Sequence, residues 1–127
     1  MQILYQWQLT QQTADELLAQ YVGSDELAGA DIEYFSELVR ECTVRREALD
    51  AIIGEYADRP LEQLDLVEHA ILLIGAYELS VRLDIPYRVA INEAVELSKR
   101  FGATDGHRYI NALLDKAGRA LRTVEQS

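Results

Sequence analysis

Apolar residues recur every three or four positions along almost the whole chain, the spacing that lines one face of an α-helix. Ile3, Leu4, Trp7 and Leu9 give a first helix its apolar side, and that pattern is already under way at residue 1 with no capping residue before it. A short second helix is predicted over residues 15–22, and Gly23-Ser24-Asp25 reads as a loop. Asp31 can cap a third helix carrying Tyr34, Phe35, Leu38, Val39 and Cys42 at helical spacing. The pattern continues through Leu49, Ile52, Ile53 and Tyr56, as one long helix or as two with a bend near Thr43. Arg59-Pro60 breaks it.

Asp65-Leu66-Val67-Glu68 then reads as a capping box, an acceptor at the N-cap with a glutamate three residues on. The helix that follows is apolar on most sides (Val67, Ala70, Ile71, Leu72, Leu73, Ile74, Ala76, Leu79), which places it at the centre of a bundle. Pro86 restarts the chain, since proline suits a first helical turn. Val89, Ile91, Ala94, Val95, Leu97 and Phe101 supply the core face of the next helix, and Gly102 can end it. Thr104 or Asp105 caps a last helix with Ile110, Leu113, Leu114, Ala117 and Leu121 inward, and the tail from Thr123 is expected to fray. No alternating run bounded by turn signals suggests a strand. The expectation is an all-α bundle in one domain over residues 1–127.

Composition narrows the class. The longest apolar run, Ala70 to Ala76, is too short to span a membrane, and no basic segment opens a signal peptide. Cys42 is the single cysteine, which rules out an internal disulfide and fits a reducing cytoplasm. His69, His107 and Cys42 lack metal-ligand spacing, so no metal site is expected. Glu93 and Glu96 lie three apart, but Lys99 stands where a Glu-x-x-His motif needs histidine; a solvated Glu96–Lys99 pair is the simpler reading. No phosphate-binding loop, dinucleotide fingerprint or nucleophile elbow appears, so neither a cofactor nor an enzyme is expected.

Charge changes the picture most. The net charge is −10, yet residues 1–60 carry −8, residues 61–85 carry −4 and residues 86–127 carry +2. The acidic total argues against charge-driven coating of nucleic acid, so any RNA contact must be local. The turn GATDG is where cations and aromatics gather: Lys99, Arg100 and Phe101 before it, and Asp105, His107, Arg108 and Tyr109 after it. Lys99 and Arg100 suit the C-terminus of the helix they close, but Arg108 sits in the first turn of the next helix, where a cation is disfavoured. Asp105 is more readily a cap than a ligand-binding acid, and His107 is expected to pack or bond locally. Phe101 is expected to be at least half buried, and Tyr109 is the better surface for stacking on an unpaired base. In the first helix Trp7 reads as core and Tyr5 as surface. Asn92 and Asn111 sit mid-helix despite poor propensity, which suggests buried amides bonded to a neighbouring helix.

The run PYRVAINEAVELSKRFGATDGHRYINALLDKA, with LYQWQL near the start and VEHAILLIGAYEL in the middle, resembles the NusB family of transcription antitermination factors. The resemblance covers the chain from Ile3 to about Leu121. It implies an all-helical fold of about six to seven helices in two packed subdomains. It also implies binding of the boxA sequence of ribosomal RNA leader transcripts, together with the small-subunit ribosomal protein called NusE, within an antitermination complex on RNA polymerase. Carried over by position, the RNA contacts lie near Tyr5, Phe101, Asp105, Arg108 and Tyr109, joined by the neighbouring cations Lys99 and Arg100. Glu68 matches an acidic position on the face turned to the protein partner; an acidic face suits a basic ribosomal protein. Family members usually carry about ten further residues, rich in arginine, ahead of the first helix, whereas this sequence opens inside that helix at Met1-Gln2-Ile3. Two other readings compete: a NusB-like accessory domain of an RNA cytosine methyltransferase, and a helical adaptor that binds only protein, a homodimer included.

Overall fold

The computed structural model describes residues 32–101 and 106–122. The first two predicted helices, with Tyr5 and Trp7, lie outside the described residues, as do the Asp31 cap, the side chain of Phe35, the turn residues 102–105 with Asp105, and the tail from Thr123. Among the described residues there are five α-helices and no strand: α1 (Ile32–Val44), α2 (Arg46–Tyr56), α3 (Leu66–Ser80), α4 (Tyr87–Phe101) and α5 (Gly106–Leu121), with a 3-10 turn at Leu61–Gln63. The expected all-α class is therefore observed. Of the two readings left open, two helices are observed, with the break at Arg45, close to Thr43. Hydrogen bonding runs through it, Arg45 N–H to Glu41 O and Leu49 N–H to Arg45 O. Thr43 Oγ1 donates back to Arg40 O at 2.9 Å, a competing bond of the kind that bends helices.

α3 is the hub. Asp65 caps it by accepting from Glu68 N–H at 2.7 Å, so half of the capping box is in place. Every residue from His69 to Leu79 is buried, and α1, α2, α4 and α5 all pack around the helix. Burying each Leu or Ile side chain contributes about 1.5–3 kcal/mol, which outweighs its weak amphipathicity. α5 runs alongside α3 in the same direction: Glu68 meets Gly106, Gly75 meets Leu114, and Leu79 meets Gly118. A Cβ on Gly75 would lie 2.7 Å from Leu114 Cδ1, so the missing side chain sets how closely α5 approaches. α4 runs the other way, with Ser98 beside Gly106 and Tyr87 beside Gly118. Cys42 is fully buried, its thiol pushed up to about 12 by burial, and behaves as a core residue.

Polar groups tie the α3 C-terminus down. Arg122 is 5% exposed and donates to four carbonyls: Leu79 O and Glu78 O at 2.8 Å, and Arg82 O and Ile85 O at 2.9 Å. Two of these are terminal carbonyls of α3, which have no partner within the helix. Arg82 bridges Glu37 of α1 and Asp84, each at 2.8 Å. Tyr77 donates to Glu37 at 2.5 Å, and Tyr34 donates to the buried Glu78 carboxylate. At the other end of α3, His69 Nε2 lies 2.5 Å from Asp50 Oδ1 of α2.

Four core assignments are corrected. Val89, expected inward, is 43% exposed because it lies on the side of α4 opposite the buried Tyr87, Ala90, Ile91 and Ala94, and Leu121 is 39% exposed as the last residue of α5. Asn92 and Asn111 are exposed rather than buried amides, on the outer faces of α4 and α5.

Candidate nucleic-acid interface

α4 closes on Lys99, Arg100 and Phe101, and α5 opens on Gly106, His107, Arg108 and Tyr109. Lys99 Nζ makes the expected contact with Glu96 at 3.6 Å, with both side chains at least half exposed, so the pair holds little energy and leaves the ammonium available. The Arg100 guanidinium lies 5.1 Å from the Phe101 ring centroid. Phe101 is 37% exposed, an aromatic surface at the rim of the core. Arg108 is exposed and makes no ion pair or hydrogen bond among the described residues. A cation at a helix N-terminus faces a positive dipole end, so Arg108 gains nothing locally from its position.

Tyr109 departs from its expected role as an open stacking surface. It is half-buried against the core, and the Arg59 guanidinium, from the loop after α2, lies 4.2 Å from its ring centroid. One ring face is therefore already covered by a cation. Its hydroxyl is buried without a hydrogen-bond partner among the described residues. Burial pushes its pKa up, Asp58 adds to the shift, Arg59 opposes it and Glu68 adds again.

Glu68 belongs to the same neighbourhood. Its Oε1 lies 3.0 Å from where a Cβ on Gly106 would stand, with Ser98 Oγ 3.5 Å from that point. Glycine at 106 thus lets the carboxylate come up against the N-terminus of α5. Burial raises the Glu68 pKa, Asp65 adds to it and Arg59 lowers it. Ser98 Oγ and His107 Nδ1 are buried and, like Tyr109 Oη, lack a partner among the described residues. The structure thus gathers Lys99, Arg100, Phe101, Arg108, Tyr109 and Glu68 around one turn, whereas Tyr5 and Asp105 lie outside the described residues. Sequence reasoning missed Arg59 and Ser98. Arg59 reaches Tyr109 across fifty positions of sequence, and no periodicity carries such a contact.

Comparison with known proteins decides the family. The profile of the NusB family matches residues 1–119. The chain belongs to the NusB family. Among its NusB relatives is the transcription antitermination protein NusB of Nitrosococcus oceani, 49% identical over 125 residues, which span 98% of this chain and 84% of that one. The proteins of the same name from a Marinomonas species and from Idiomarina loihiensis are 46% and 43% identical, over 98% and 99% of this chain and 73% and 91% of their own lengths. Among the described residues, no group of three or more His, Cys, Asp or Glu is arranged to hold a metal ion, and no helix is long and apolar enough to cross a membrane.

Proposed function

We propose that this chain is a non-enzymatic transcription antitermination factor that binds boxA-type RNA at the α4–α5 turn, together with a NusE-like ribosomal protein, in a complex on RNA polymerase. NusB relatives matching 98% or more of the chain carry the antitermination name, which supports the general role. The observation that carries the RNA site is Arg108, a cation exposed at a helix N-terminus and without an ion pair among the described residues, in a patch that also holds Lys99, Arg100 and Phe101. Single-stranded RNA is bound by this combination of cations for phosphate and aromatics for base faces. The net charge of −10 makes the isolated chain a weak RNA binder and favours a basic protein partner.

The Arg108→Ala variant tests the site. Affinity for a boxA oligonucleotide should fall about five- to tenfold, and the salt slope should flatten by about 0.7, one phosphate contact on a single strand. Stability should stay within about 0.5 kcal/mol, as for other surface changes. Unchanged affinity, or a collapse in melting temperature, would remove Arg108 from the RNA site. Adding the ribosomal partner should tighten RNA binding; tight binding by the chain alone would contradict the shared mode.

A further inference from the structure

The cationic surface does not stop at the turn. On α4, Arg88, Asn92, Val95 and Lys99 recur every three or four residues and form one line down the helix. On α5, Arg108, Asn111, Asp115 and Arg119 form a matching line. The two helices pack antiparallel, with Ser98 beside Gly106 at the turn and Tyr87 beside Gly118 at the far end. Over the far part of the seam the two lines face each other, Arg88 and Asn92 standing opposite Asn111, Asp115 and Arg119. Four cations stand on them against one acid, Asp115, on a chain of net charge −10.

The seam opens at its far end into a groove of about 200 Å³, lined by Tyr87, Arg88, Asn92, Asn111, Asp115 and Arg119. Asn92 and Asn111 are exposed there, on opposite walls, and neither amide is hydrogen-bonded among the described residues. Asparagine is a poor helix former, so two unbonded amides in mid-helix gain nothing locally. Together they offer donors and acceptors of the kind that meet base edges, while arginine planes meet phosphates and base faces. Arg119 is held at 2.9 Å by Asp115, a surface pair of the weak i,i+4 kind that a phosphate can displace.

We infer that this groove is a second nucleotide subsite, taking an unpaired nucleotide of the same RNA strand that crosses the turn. The inference rests on the RNA reading above. Arg88 and Phe101 are thirteen residues apart on α4, so the strand must reach about 20 Å beyond the turn.

The test uses the whole chain labelled with nitrogen-15, whose side-chain amide signals report Asn92 and Asn111 directly even when binding is weak. A minimal boxA oligonucleotide is compared with versions lengthened at one end or the other. The minimal RNA should move signals around Arg108 only. One lengthened RNA should also move the Asn92 and Asn111 amides, and bind on the order of tenfold tighter. The Asn92→Ala/Asn111→Ala double variant should lose that gain and keep its affinity for the minimal RNA. Both asparagines are exposed, and alanine is the better helix former, so the variant should fold. If lengthening neither moves these amides nor tightens binding while the minimal RNA still binds at Arg108, the subsite is absent and the RNA reading stands. If no RNA moves any signal near the turn, the RNA reading fails and the subsite falls with it.

Discussion

At one end of the α3–α5 core, Arg122 satisfies four backbone carbonyls and Arg82 binds two acids; at the other, Ser98, His107 and Tyr109 each bury a polar atom with no partner. The helices are the same ones, α3, α4 and α5. What differs is how many of those groups are answered within the fold. The far end commits Arg82 and Arg122 to closing a loop; the groove lined by Arg88 and Arg119 is a separate surface on the outer α4–α5 face of that end. Among the described residues the turn end leaves Arg108 without an ion pair and three buried polar atoms unanswered, a loss of stability that folding alone does not explain. The main ligand site is expected at the second kind of end, with the outer groove between α4 and α5 as its extension.

The largest break in this comparison comes from Arg122→Ala. It strands four carbonyls in a buried place, and a single unsatisfied group costs about 1–3 kcal/mol. A loss of about 3 kcal/mol or more is expected in urea denaturation. Lysine at 122 should recover only part of it, since an ammonium cannot reach four acceptors in a plane. A small effect would mean the loop after α3 holds itself.

At the turn end the sign should reverse. Ser98→Ala and Tyr109→Phe each remove a buried hydroxyl with no partner, so each should stabilise the fold by about 1 kcal/mol. Thermal melts of the two variants check this. A loss of stability would mean that the hydroxyl is bonded in solution.

The smallest effect is in pH dependence. Glu37 is held below the usual 4.5 of a glutamate by hydrogen bonds from Tyr77 and then Arg82. Its contribution is present above that value and fades as pH falls through the lowered one. Glu68 and Glu78 are raised, first by burial, so their contribution is present at low pH and fades as pH rises from 4.5 through the raised values. Glu37→Gln should therefore flatten the acid limb of the stability curve, and Glu78→Gln should flatten the decline on the other side. Identical curves for the two variants would remove this contrast.

What was legible in the sequence was local or periodic. The run around AILLIGA marked α3 as the buried hub, Asp65 announced its start, and the Glu96–Lys99 spacing foretold a surface pair. The concentration of cations and aromatics around the turn was equally plain. The rest depended on contacts between distant segments. Arg59 over Tyr109 and Arg122 on the α3 carbonyls join residues more than forty positions apart. Asn92 and Asn111 misled because propensity reports the cost of a residue in a helix and not which face it takes.

Arg122 also sets an order of events during synthesis. It lies 43 positions beyond Leu79, whose carbonyl it closes. At about 5–20 residues per second, a ribosome needs about 2–9 seconds to cover that stretch. Through that interval α3 has its end uncovered and lacks the full cover that α4 and α5 give it, α1 and α2 being already made. The chain is then most open to chaperones and proteases, and a defect in its last helix acts as a delay imposed on everything made before it.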